Sequence, residues 1–165
     1  MSGHALWIGP GSDDEHRLGC KQCHGATPHD SERLNTHTSA LACQTCHIPR
    51  MAVGAPTKME WDWSTAGQDL DIDDPHLYLK IKGSFRYAQN IPPEYYWYNG
   101  KSSRYLLGDS IDPEQTTVLN PPYGDIADPD ARIWPFKVHR GRQAYDTENR
   151  YLLVPKTAGT GGFWT

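Results

Sequence analysis

The chain has 165 residues, enough for one domain, and a formal charge of −4 with no basic run or stripe, which argues against nucleic acid as a partner. No apolar stretch approaches the ~20 residues of a membrane-spanning helix, and Met1 to Trp7 lacks the basic and apolar regions of a secretory signal. The apolar fraction, 37%, lies below the usual range, and 15 Gly and 13 Pro favour turns over long helices, so the side-chain core is expected to be thin.

In chain order, residues 14–24 and 38–48 read as short helices, with Pro49 ending the second. A stretch containing Trp61 and Trp63 follows, then the acidic run Asp69-Leu70-Asp71-Ile72-Asp73-Asp74. Alternating Asp can bind calcium, but no glycine bend or terminal Glu completes the loop, so a solvated turn is expected there. Leu77 to Ala88 alternates partly and reads as a strand interrupted at Gly83. Tyr95-Tyr96-Trp97-Tyr98, then Asn99-Gly100, then Arg104-Tyr105-Leu106-Leu107, gives the clearest hairpin signal. From Ile111 the chain is punctuated by Pro, Asp and Gly, with strands expected at Ile133 to Val138 and Tyr151 to Val154. Long loops of this kind are unusual unless they clamp something. A flat macrocycle would make up for the thin core, and 6 Trp, 9 Tyr and 3 Phe suit packing against its faces.

All four cysteines fall in two Cys-x-x-Cys pairs, with 19 residues between Cys23 and Cys43. Three chemistries use such pairs. A zinc ribbon has nearly this spacing, because four thiolates must converge on one tetrahedral ion. Two disulfides would be a sparse staple for a chain of this length. The third is c-type haem, in which two thiols bond the porphyrin edge and the next residue, His, coordinates iron. The residue after each pair decides. Cys20-Lys21-Gln22-Cys23-His24 and Cys43-Gln44-Thr45-Cys46-His47 both end in His. With 8 His in the chain, that coincidence has odds of about one in 400. Zinc and disulfide chemistry do not ask for it, and haem chemistry requires it twice. Cys20, Cys23, Cys43 and Cys46 are therefore the expected thioether positions for two haems c, and His24 and His47 the proximal iron ligands.

A low-spin haem needs a sixth ligand, commonly another His where a chain holds several haems. His29 and His37 lie on the short linker between the motifs and are the candidate distal ligands. His16 and His139 are further candidates for iron or for a haem propionate, His139 lying among cations in Lys137-Val138-His139-Arg140. His4 and His76 read as surface residues. No sequence repeat appears beyond the two motifs.

Several runs together carry a resemblance. They are Arg33-Leu34-Asn35-Thr36-His37-Thr38, Leu41 to Pro49, Thr57-Lys58-Met59-Glu60-Trp61-Asp62-Trp63-Ser64-Thr65-Ala66-Gly67, Ile81-Lys82-Gly83-Ser84-Phe85, Pro93-Glu94-Tyr95, Trp97-Tyr98-Asn99-Gly100, Gly108 to Pro113, Arg132-Ile133-Trp134-Pro135 and Gly141 to Asp146. Covering most of the chain, they resemble the C-terminal part of the octahaem tetrathionate reductase family of multihaem c-type cytochromes. The resemblance implies a periplasmic or extracellular oxidoreductase with closely packed, mostly bis-His haems. It also implies reduction of sulfur or nitrogen oxyanions at one haem with a lysine axial ligand. Family members carry eight haem motifs and this chain two, none of them ending in Lys, so the catalytic haem is expected outside these residues. With no secretion signal in the chain, a fragment, a split-gene product or one subunit of a larger assembly is expected.

The expected fold is a multihaem cytochrome c: short helices around the haem motifs, then a largely irregular region with short β-hairpins and little regular secondary structure. Residues 1–50 form the dihaem-binding segment and 51–165 an aromatic, Pro- and Gly-rich wrapping region, one structural unit with the first and part of a larger multihaem protein. Electron relay between other haem-bearing domains or subunits and redox partner proteins is the expected function. The alternatives are a reductase acting at an open haem, or one ligated by Lys58 or Lys80, and a zinc-binding interaction module.

Overall fold

The computed structural model describes residues 19–163. The chain divides into two compact units. Residues up to Pro49 join Glu94–Arg104 and Asn120–Phe136 in the first, and Arg50–Pro93, Tyr105–Leu119 and the chain from Lys137 make the second.

The first unit holds three helices of one to two turns: α1 (Cys20–His24), α2 (Glu32–His37) and α3 (Cys43–His47). Such short helices have little intrinsic stability and depend on their ends being fixed. At α1 the Gln22 side chain accepts the Gly19 N–H (2.7 Å), and Gly25, at φ 73°, closes the helix by donating to the Lys21 carbonyl (2.9 Å). Helix α2 starts after Ser31 and occupies part of the spacer that the sequence marks only as a linker. Strands β4 (Glu94–Tyr98) and β5 (Arg132–Phe136) form an antiparallel pair with Tyr96 opposite Trp134. Tyr98 packs edge-on against Trp134 and Phe136, and Tyr96 against Phe136. Ala42 and Ala131 are the buried apolar residues here.

The second unit holds a four-stranded sheet ordered β2-β3-β1-β6, with β1 (Thr57–Asp62), β2 (Tyr78–Leu79), β3 (Gly83–Ala88) and β6 (Arg140–Arg142). β1 runs antiparallel to β3, with a register shift between Lys58 and Glu60, and parallel to β6. Phe85 and Tyr78 are its buried aromatic residues. The Tyr78 hydroxyl ties the loop before β2, accepting the Gln68 N–H (3.0 Å) while carbonyls of Gln68 (2.8 Å) and Thr65 (3.1 Å) lie within reach of its proton. Trp61 stacks on Trp63 with ring centres 5.1 Å apart.

The architecture is the expected one of short helices at the motifs, short strands after them and little else. Gly83 interrupts Leu77 to Ala88 as anticipated, opening β3 at φ 83° after the turn from β2. The acidic run 69–74 is exposed and irregular. The hairpin expected across Asn99-Gly100 does not form. β4 pairs instead with β5, more than thirty residues later. Tyr96 and Tyr98 find the rings of Trp134 and Phe136 there, whereas Arg104 to Leu107 offers the single ring of Tyr105, and cross-strand aromatic pairs outweigh the local turn signal. Tyr105 donates to the Leu119 carbonyl (2.8 Å), and Leu106 and Leu107 are exposed. Tyr151 to Val154 forms no strand, only a bridge from Leu152 to Tyr145.

Candidate functional site

Each motif sits on its own helix, so the two cysteines and the histidine of each project from a single turn. Cys23, Cys46, His24 and His47 are exposed, Cys20 and Cys43 half-buried, and none of the four cysteines is in a disulfide. The first cysteines of the two motifs face each other. Partial burial, and after it the Cys43 thiol as charge neighbour and hydrogen-bond partner, push the Cys20 thiol up.

Helix α3 is anchored by β5. The Ile133 carbonyl accepts both the Ala42 N–H (3.0 Å) and the Thr45 hydroxyl (2.6 Å), while the Ile133 N–H donates to Ala40 (2.8 Å). Arg132 Nε adds a bond to the Thr38 carbonyl (3.1 Å). Thr45 is an interior residue of the second motif, so the motif itself carries the contact that fixes it.

The half-buried His29 is held by Asn35. The Asn35 amide accepts the His29 backbone N–H (3.0 Å) and donates to the His29 carbonyl (2.7 Å). Its oxygen also lies 3.3 Å from His29 Nδ1. Because that oxygen can only accept, Nδ1 is the nitrogen that donates to it, which leaves Nε2 as the ring nitrogen available to a metal. The ring of His29 lies nearly parallel to that of His47, at 9°, with centroids 6.0 Å apart. A metal–imidazole bond of about 2 Å, plus about 1 Å from nitrogen to ring centre, puts two imidazoles on opposite sides of one metal about 6 Å apart. The donor set and this spacing fit a covalently held haem at the second motif.

The remaining sequence candidates are placed as follows. His37 ends α2, exposed. His139 lies in the second unit, its imidazole held below the ordinary range by desolvation and then by the positive charges of Lys137 and Lys58. His16 and His4 lie outside the described residues. His76 is exposed and within 3.0 Å of Asp74. Lys80 is ion-paired with Asp69 (2.6 Å), and the Lys58 ammonium lies 3.7 Å from the centre of the Phe85 ring. Among the described residues no three His, Cys, Asp or Glu side chains converge to hold a metal ion. Sequence reasoning did not single out Asn35 or Thr45. Asn35 stands inside one of the runs that carry the family resemblance, but no spacing rule marks it.

The family model described as "Cytochrome c bacterial" matches residues 58–165. The crystal structure of octaheme cytochrome c from Shewanella oneidensis superposes with a TM-score of 0.86 at 47% identity, over 100% of this chain and 38% of that one. No curated protein is similar enough to count as a match. The chain thus spans well under half the length of its structural relative, and cytochromes of this class carry haem c and transfer electrons. Two histidine-terminated cysteine motifs on short helices, a sparse core and that match lead to one conclusion: the chain belongs to the bacterial cytochrome c family and corresponds to the C-terminal part of an octahaem cytochrome c.

Proposed function

We propose that the chain holds two haems c and relays electrons between them and the haems of a larger multihaem reductase of the octahaem tetrathionate reductase type, in the periplasm. Cys20, Cys23 and His24 hold the first haem, and Cys43, Cys46 and His47 the second. The observation that carries the reading is the His29–His47 pair, nearly parallel and spaced for one metal between them. Haem iron held this way supplies a one-electron couple. The rest is the work of the polypeptide. His29, oriented by its bonds to Asn35, would hold the second haem together with His47 and leave no place there for a substrate. His37 is the candidate sixth ligand of the first site. The contact of Cys20 with Cys43 keeps the two attachment points adjacent, which suits transfer between neighbouring redox centres. Reduction of a sulfur or nitrogen oxyanion then belongs to the remainder of the assembly.

The test is spectroscopic. The purified chain should carry two haems by mass and show low-spin bands that survive acid–acetone extraction. His29→Ala should turn one of the two haems high-spin and make it bind cyanide or nitrite, while the other is unaffected. If both haems of His29→Ala stay low-spin, the axial assignment is wrong; a colourless chain would refute the haem reading altogether.

A further inference from the structure

The second unit contains a group of basic side chains that the relay does not use. Lys58, on β1, has its ammonium against a wall of rings: 3.7 Å from the Phe85 centroid and 5.6 Å from those of Trp61 and Tyr87. Ring faces hold an ammonium in place but accept no conventional hydrogen bond, and this group has three N–H bonds to satisfy. Lys137 reaches the same strand, its Nζ donating to Thr57 Oγ1 (2.9 Å) and to the Lys58 carbonyl (3.0 Å). Two of its three donors are used, which fixes the ammonium and leaves one bond to give. His139 follows two residues later, immediately before β6, which lies parallel to β1 with Arg140 opposite Glu60.

No carboxylate among the described residues pairs with any of the three. Of the two acids on the same strand, Glu60 is committed to Arg86 at 2.6 Å and Asp62 accepts the Ser64 N–H (2.9 Å). Burial, and after it the positive charges of Lys137 and Lys58, lower the basicity of His139. Gathering like charges costs Coulomb energy that an anion among them returns.

We infer that Lys58, Lys137 and His139 form an anion-binding site for an oxygen-rich anion, a carboxylate or an inorganic oxyanion. Lys58 and Lys137 each supply a charge-assisted hydrogen bond, and their strength explains the positioning: one ammonium is seated on rings and the other is clamped by two backbone-proximal acceptors. His139, two residues after Lys137, borders the site. The anion has two sources, a free oxyanion from solution or a carboxylate already fixed in the haem-loaded protein, namely a haem propionate. The site itself follows from these side chains, and only the second source rests on the haem reading above.

The experiment uses the haem-loaded chain at low ionic strength. Sulfate is titrated calorimetrically into the wild type, Lys58→Met, Lys137→Gln, His139→Gln and the charge-preserving Lys137→Arg, and the haem midpoint potentials of each are measured. A free anion predicts saturable 1:1 sulfate binding, weakened roughly tenfold by either lysine-neutralising change, less by His139→Gln, and retained in Lys137→Arg. A fixed propionate predicts no sulfate uptake by the wild type and a negative shift in one haem potential in Lys58→Met and Lys137→Gln, again absent in Lys137→Arg. Lys137 is exposed, so its variants test the site even if Lys58→Met loosens the ring cluster. The proposal is overturned if neither sulfate binding nor the potentials depend on the charge at 137.

Discussion

Gly83 shows how tightly a single position can be specified. Its backbone is at φ 83°, and a Cβ there would collide with the Asp62 carbonyl and crowd Thr65 Oγ1. Gly83→Ala should therefore cost at least about 2 kcal/mol, from backbone strain with the clash added; urea denaturation of the haem-loaded chain measures it. Asp128 is a second such residue. The Asn99 side chain, and then the backbone N–H groups of Asp130 and Ala131, hold its carboxyl below the usual carboxylate range. A carboxyl depressed in the folded state adds stability that is present above the unfolded value of about 3.9. That contribution is lost as pH falls through the lower folded value. Asp128→Asn should flatten the fall in thermal midpoint across that acid range, and an unchanged slope would show that the carboxylate contributes nothing. Asn35→Ala frees the His29 ring to rotate and should give a mixed-spin second haem, detectable by electron paramagnetic resonance. The two Cys-x-x-Cys-His motifs were legible in the sequence because each lies within one short helix. Asn35 and Thr45 were not, because what makes them matter is a partner six or 88 residues away.

At the scale of elements, the second motif depends on β5. Thr45 donates to Ile133 within a cluster of bonds that also engages Ala40 and Ala42. Thr45→Val keeps the shape and removes the hydroxyl bond, so it should cost about 1 kcal/mol, read as a lowered thermal midpoint with the haem spectrum retained. The same strand explains why one reading of the sequence failed. Asn99-Gly100 between hydrophobic runs is a strong local hairpin signal, but register is decided by what each strand face meets. β4 meets rings on β5, and no local pattern announces a strand at residues 132–136 as its partner. The β2–β3 turn, by contrast, was legible because Gly83 and both its strands lie within a dozen residues.

At the scale of the whole molecule, the described residues bury few apolar side chains: Ala42, Tyr78, Phe85, Pro93 and Ala131. None of these described side chains is fully buried. Against a conformational cost of about 1–2 kcal/mol per ordered residue, so small a core cannot hold the fold without a large apolar group packed against it. A variant with all four cysteines changed to alanine should lose its cooperative unfolding transition in denaturant, whereas the haem-loaded chain keeps one. The link from Thr45 to Ile133 also has a consequence for biogenesis. The second motif is made 88 residues before the backbone carbonyl that later clamps it. During synthesis its cysteines are therefore presented on an unclosed chain, and distant pairings of this kind form late. The clamp on the second motif forms only once β5 has been made, so the order of synthesis sets when that motif is fixed in place.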